Sequence, residues 1–149
     1  QFCSALDVDE LMANGGKFMI KSYNGRYLTR YIPAGNSCSI TALYTTNRTH
    51  IGWPEKWTFE RINDNEFAIQ ASDCKRYIRY YRQDTLDLVR EVNAWEMWTA
   101  VKNSDGTWSF TTRSYGKWMS AHIQNNNIAR VVMQSENKRC ERWTIEKWE

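Results

Sequence analysis

The chain has little of what a metal site or an unstructured polypeptide needs. His50 and His122 are its two imidazoles, and no C-x-x-C pair occurs among Cys3, Cys38, Cys74 and Cys140, so the clustered ligand spacing of a zinc site is missing. Two prolines and seven glycines in 149 residues are too few for a linker-like or low-complexity chain. No apolar run approaches the roughly 18–20 residues of a membrane-spanning helix, and neither a glycine-rich phosphate loop nor an H-x-x-x-H pair is found. A Ser or Cys nucleophile wants a His base and a third orienting group. His50 falls in a loop-like stretch, His122 at a repeat position, and carboxylate neighbours such as Asp84 and Asp87 are common in any water-exposed surface. The expectation is a non-enzyme that uses no cofactor and no metal.

What the chain does have is aromatic bulk: eight Trp, eight Tyr and five Phe, enough to build a core at a length that suits one domain. Net charge is +3, with residues 1–16 contributing Asp7, Asp9 and Glu10 and no cation, so 20 Lys and Arg face 14 acids over the remainder. Cations and acids interleave, as in Lys138, Arg139, Glu141 and Arg142, which is the pattern of a solvated surface and argues against nucleic-acid binding. Four well-separated cysteines read as two disulfides in an oxidising compartment. Asn47-Arg48-Thr49 is an N-glycosylation sequon. A start at Gln1 fits removal of a signal peptide. These three features together give the expectation of a secreted, extracellular glycoprotein.

An internal repeat organises the rest. Glu55-Lys56-Trp57-Thr58, Glu96-Met97-Trp98-Thr99 and Glu141-Arg142-Trp143-Thr144 recur with tryptophans 41 and 45 residues apart. Ten residues beyond Trp57 and Trp98 come Phe67 and Trp108, each across a polar turn, which reads as a hairpin. Phe18, Ile20, Ser22, then Phe67, Ile69, Ala71, then Trp108, Phe110, Thr112 alternate from large to small on one face. The copy at Phe18 lacks a preceding Trp and Trp143 lacks a following partner, so the first strand is expected to pair with the last, removing open edges. Third segments follow at Gly25-Arg26-Tyr27-Leu28-Thr29, Lys75-Arg76-Tyr77-Ile78-Arg79 and Gly116-Lys117-Trp118-Met119-Ser120. With less regular apolar stretches after each, the count is about four strands per unit. The fold class is all-β: a pseudo-threefold β-trefoil, a six-stranded barrel plus three capping hairpins. Its extent is residues 17–149, in units of about 17–62, 66–102 and 107–149, after an N-terminal extension, 1–16, with a short helix in which Asp7 and Glu10 form a capping box.

Gly25-Arg26-Tyr27-Leu28-Thr29 with Trp57-Thr58-Phe59-Glu60, echoed by Trp143-Thr144-Ile145-Glu146, resembles the signatures of fascin-like β-trefoils over residues 16–149. The resemblance implies the fold and not the function. Fascin bundles actin in the cytosol, whereas ricin-type lectin trefoils carry Q-x-W where this chain has E-x-W, so that family's sugar-binding residues are not carried over. A closed trefoil brings its termini together, which favours Cys3 with Cys140 and leaves Cys38 with Cys74, among three possible connectivities.

Departures from the repeat nominate binding residues. Tyr31, Tyr81 and His122 occupy equivalent places four residues after the strand aromatic. Each offers either core packing or a flat ring for a sugar, with Thr29, Arg79 and Ser120 to fix hydroxyls. The first unit is longest between its aromatic and its Glu, 28 residues against 19 and 23, and the excess loop 32–54 holds Asn47 and Trp53. The leading functional expectation is a monomeric glycan-binding protein acting through Tyr31, Tyr81, His122, Arg79 and Trp53. The alternative is an extracellular protein ligand or inhibitor, cytokine-like or protease-inhibitor-like, engaging through that loop with Trp53 as anchor.

Overall fold

The computed structural model describes residues 5–30, 38, 43–46, 52–113, 116–121 and 128–148, apart from the side chains of 5–7, 128 and 129. The expected sites Tyr31, His122, Asn47 and Cys3 lie outside the described residues. Strands are β1 (Lys17–Lys21), β2 (Tyr27–Arg30), β3 (Leu43–Thr46), β4 (Trp57–Arg61), β5 (Phe67–Ala71), β6 (Arg76–Tyr80) and β7 (Leu86–Val89). They continue with β8 (Trp98–Lys102), β9 (Trp108–Thr112), β10 (Trp118–Ser120), β11 (Ile128–Arg130), β12 (Val132–Gln134) and β13 (Thr144–Lys147). The one α-helix among these residues is α1 (Ala5–Met12). Thirteen strands appear among the described residues where the repeat predicts twelve. The last apolar stretch is split at buried Val131: β11 pairs with β3 of the first unit, while β12 pairs with β10 of its own.

All pairing among the described strands is antiparallel. It runs β1 with β4, β4 with β5, β5 with β8 and β8 with β9; Trp108 then bridges Trp143, and β13 returns to β1 with Phe18 opposite Lys147 and Lys21 opposite Thr144. The first and last strands do pair, as the incomplete repeats require. Hairpin partners β2 with β3, β6 with β7 and β10 with β12 branch from that series, through pairing of β2 with β1, β6 with β5 and β10 with β9. The alternating large residues converge: Phe59 packs against Phe18, Phe67 and Phe110 in tilted and edge-on contacts with centroids 5.6, 5.3 and 6.1 Å away.

Three buried tryptophans tie each hairpin to the strands beneath. Trp57, Trp98 and Trp143 are 0% exposed, and their indole N–H groups donate to the carbonyls of Leu28, Ile78 and Met119 at 3.0, 3.0 and 3.1 Å. The carboxylate two residues earlier is equally structural. Glu55, Glu96 and Glu141 each close a short 3₁₀ turn by accepting from the backbone N–H of Gly52, Asn93 and Lys138 at 2.9, 2.6 and 2.8 Å. A buried carboxylate is tolerated only when hydrogen-bonded, which is why the E-x-W motif recurs with its turn.

Helix α1 lays Val8 and Leu11 into the core and is pinned by Arg61 to Asp9 and by Lys102 Nζ to Glu10 at 2.7 Å. Asp7 sits inside α1, which begins at Ala5, so it is not the N-cap that the sequence predicts. The chain leaves the helix through Asn14, Gly15 and Gly16, all with positive φ. At Gly16 a Cβ would lie 2.3 Å from the Phe59 carbonyl oxygen, so only glycine permits that approach.

Cys38 and Cys74 form a disulfide with Cα atoms 5.9 Å apart, as the trefoil reading favours. Among the described residues Cys140 is a free thiol, and its expected partner Cys3 lies outside them.

Candidate functional site

Several expected polar contacts are already taken. The glycan reading offers Thr29 to fix a sugar hydroxyl, but Leu28, Thr29 and Arg30 are all buried, as the core-packing alternative has it. Thr29 Oγ1 donates to Glu55 at 2.6 Å and Ser120 Oγ to Glu141 at 2.5 Å, so both hydroxyls satisfy the repeat's own carboxylates and are not free to fix a sugar. In the second unit Arg79 replaces the hydroxyl and forms a two-pronged pair with Asp87 at 2.9 and 2.6 Å. That hydrogen bond holds the guanidinium pKa above its ordinary value. Tyr81 is 39% exposed, with the Arg79 and Arg82 guanidinium carbons 4.4 and 4.9 Å from its ring centre. The structure thus joins Tyr81 to Arg79 while committing Arg79 elsewhere.

A different place is more open. The strand pairings Ile20 with Ile145, Phe59 with Ile69 and Ala100 with Phe110 set the three units in register. Between successive units lies a seam, formed by the turn after one strand and the 3₁₀ turn of the neighbour. Equivalent positions at the three seams hold Tyr23, Ser72 and Arg113 on one side. Arg139, Trp53 and Ala94 open the facing 3₁₀ turns.

At the first seam a groove of about 710 Å³ is lined by Lys21, Ser22, Tyr23, Gly25, Asp105, Thr107, Asn137, Lys138, Arg139, Arg142 and Thr144. Tyr23 is 36% exposed, and the Arg139 guanidinium lies 5.0 Å from its ring centre. The turn Ser22 to Arg26 that presents the ring closes on a 2.7 Å backbone bond, with Gly25 at φ 85, a conformation that glycine adopts without strain. Partial burial, and then a hydrogen bond with the Cys140 thiol, hold the Tyr23 phenol above its usual pKa. Asn137 is fixed by a cycle: Ser109 Oγ donates to its Oδ1 at 2.6 Å, its Nδ2 donates to Asn103 at 3.2 Å, and Asn103 donates to Ser109 at 2.9 Å. Its amide keeps a second donor and acceptor position for a ligand. Asp105 accepts from Thr107 Oγ1 at 2.5 Å, which holds its carboxyl below its ordinary value and makes it a ready acceptor. The cations are largely balanced nearby, Lys21 by Glu146 at 2.7 Å, Lys138 by Glu136 at 2.7 Å and Arg142 by Asp105 at 3.4 Å.

The third seam is sealed. Arg113 crosses it to bind Glu66 through both guanidinium prongs and meets Met97 Sδ at 3.3 Å. The Arg113 hydrogen bond holds the Glu66 carboxyl below its ordinary 4.5. A carboxylate depressed in the folded state contributes stability that is present above the unfolded value and lost as pH falls through the folded one. Glu66→Gln is therefore expected to flatten the loss of stability below about pH 4.5, measured as urea midpoints against pH. A variant whose acid limb runs parallel to wild type would show that the pair contributes nothing.

Sequence reasoning missed Tyr23, Asn137 and Arg139. Ser22-Tyr23-Asn24-Gly25 reads as an ordinary turn, and the groove joins the two ends of the chain, so no local motif marks it. The available signal was an aromatic in a turn that the repeat leaves unclaimed. Among the described residues no group of three His, Cys, Asp or Glu is placed to hold a metal, and no helix is long and apolar enough to cross a membrane.

No protein-family model matches the chain, and no curated protein does. Solved structures do. The designed threefold-symmetric protein ThreeFoil superposes with TM-score 0.75 at 14% identity, covering 89% of this chain and 99% of that one. SeviL bound to asialo-GM1 saccharide gives TM-score 0.71 at 12% identity, over 89% and 98%. The Polyporus squamosus lectin bound to Neu5Acα2-6Galβ1-4GlcNAc gives 0.71 at 13%, over 88% of this chain and 48% of that one. At such identities the likeness establishes a β-trefoil-like fold and nothing about the ligand.

Proposed function

We propose that this is a secreted, non-enzymatic glycan-binding module, a single trefoil over residues 17–149 on a closed six-stranded barrel, with the first seam as its primary site. The observation that carries the reading is the exposed Tyr23 ring in a groove whose polar wall, Asn137 and Asp105, is held in place by its own hydrogen bonds. A sugar stacks its C–H face on an aromatic ring and takes direction from fixed donors and acceptors. The groove volume lies within the roughly 300–1,000 Å³ of small-ligand sites. Support also comes from similar folds whose structures hold the asialo-GM1 saccharide and a sialylated trisaccharide. Secretion is supported by the Cys38–Cys74 disulfide.

A glycan array followed by calorimetry tests it. Tyr23→Ala is expected to weaken the best ligand by roughly tenfold or more, from the loss of one stacking face, while the melting temperature barely moves because the ring is in a surface turn. An array with no hit above background removes the proposal.

A second reading, a protein ligand or inhibitor engaging through loop 32–54, has one observation in its favour: Trp53 is 54% exposed, as an interface anchor must be in the free protein. It predicts capture of an extracellular protein that Trp53→Ala abolishes.

A further inference from the structure

The second seam differs from the other two in what it leaves unbalanced. At the positions where the first seam carries Arg139, Arg142, Thr107 and, behind the groove wall, Asn103, this seam carries Trp53, Lys56, Lys17 and Trp148. The two indoles meet at 86° with centroids 5.5 Å apart. Trp148 is anchored by its N–H to the Phe18 carbonyl at 2.9 Å, so it forms a fixed wall, and Trp53 turns more than half its surface to solvent. The Lys56 ammonium lies 4.7 Å from the Trp53 ring centre and 5.5 Å from that of Trp148, and Lys17 lies 5.7 Å from Trp148. Among the described residues neither lysine has a carboxylate partner.

We infer that the second seam is a further binding site, built for an acidic sugar residue: Trp53 and Trp148 take the pyranose ring, and Lys17 with Lys56 take its carboxylate or sulfate. The ligand class rests on the glycan-binding reading above; the site and its charge preference rest on this corner alone. An ammonium over an exposed ring is weakly held, whereas an oxyanion offers it charge-assisted hydrogen bonds. An arriving anion therefore improves on the contacts that it displaces. Charge balance favours this seam: the third seam's Arg113 has Glu66, and at the first seam Lys21, Lys138 and Arg142 have Glu146, Glu136 and Asp105, with Arg139 alone lying over Tyr23, whereas here two ammonium groups converge on one aromatic corner. A lipid surface fits less well, since one well-exposed indole beside a half-buried one gives too little apolar area for insertion.

The test is titration of lactose, sialyllactose and sulfated lactose into wild type and variants, followed by calorimetry and by the indole N–H resonances. Both acidic probes are expected to bind wild type roughly tenfold tighter than lactose, the scale of one hydrogen bond to a charged group, and to move the Trp148 indole signal. Lys17→Gln with Lys56→Gln should erase the acidic preference at an unchanged melting temperature, and Trp53→Ala should do the same. Tyr23→Ala should leave the preference intact, which separates this site from the groove. Equal binding of neutral and acidic probes overturns the inference, as does acidic binding that Tyr23→Ala abolishes and Trp53→Ala spares. Binding confined to phosphatidylcholine–phosphatidylserine vesicles also overturns it, in favour of a lipid surface. Wild type that binds no sugar overturns both this site and the glycan reading.

Discussion

Replacement of Trp98 by alanine is expected to cost about 3–5 kcal/mol of folding stability, the range for deleting a large buried aromatic, seen as a lower urea midpoint at unchanged slope. Whole domains are stable by only about 5–15 kcal/mol, so this one change removes a large share. Trp98 is 0% exposed, and its removal takes away packing while orphaning the Ile78 carbonyl that its indole satisfies at 3.0 Å. Trp98→Phe separates the two effects: the cavity is smaller, yet the buried carbonyl still loses its donor, for about 1–3 kcal/mol. Trp57 and Trp143 make the same bond to Leu28 and Met119, so their alanine variants should match. An alanine variant that melts with wild type would show that the indole is not the tie between hairpin and strands.

Breaking Cys38–Cys74 is the second large effect. The bond closes a loop spanning a sequence separation of 36. In the chain-entropy account such a loop contributes roughly 4 kcal/mol, which at about 2–4 °C per kcal/mol for a chain of this size is a fall of roughly 8–16 °C in Tm. The native state should otherwise survive, because the neighbouring turn has its own fastening: Arg30, 3% exposed at its side chain, grips Asp73 at 2.9 and 2.7 Å. Melting with and without a thiol reductant, beside a Cys38→Ser, Cys74→Ser variant, gives the number. Identical melting in both conditions would mean that the cysteines are not bonded in the purified protein.

How far the fold is legible in the sequence follows from what packing repeats. The three E-x-W-T copies mark the three units, so the hairpins and the pairing of the first strand with the last can be read from the sequence, whereas the Glu that closes each 3₁₀ turn and the split of β11 from β12 come from the structure. Binding residues are less legible. Thr29 and Ser120 have the look of rim hydroxyls, but a buried carboxylate demands donors, and Glu55 and Glu141 claim them. Tyr81 and Arg79 do come together, with Arg79 already paired. Trp53 lies outside the framework of the repeat, and it is exposed; that Trp148 and two lysines stand around it is invisible to any spacing rule.

Alternation and repeat spacing are local or periodic properties, and by themselves they determined an all-β threefold chain and its buried tryptophans, while the cysteines left three pairings of which the structure shows Cys38–Cys74. The seams belong to the tertiary structure. Each is made where the turn of one unit meets the 3₁₀ turn of another, and whether it is an open groove, an aromatic corner or a sealed ion pair depends on which side chains the register sets opposite one another. Tyr23 facing Arg139, Trp53 facing Trp148 and Arg113 facing Glu66 arise from one repeated scaffold, and only their juxtaposition in space distinguishes a place to bind from a place already filled.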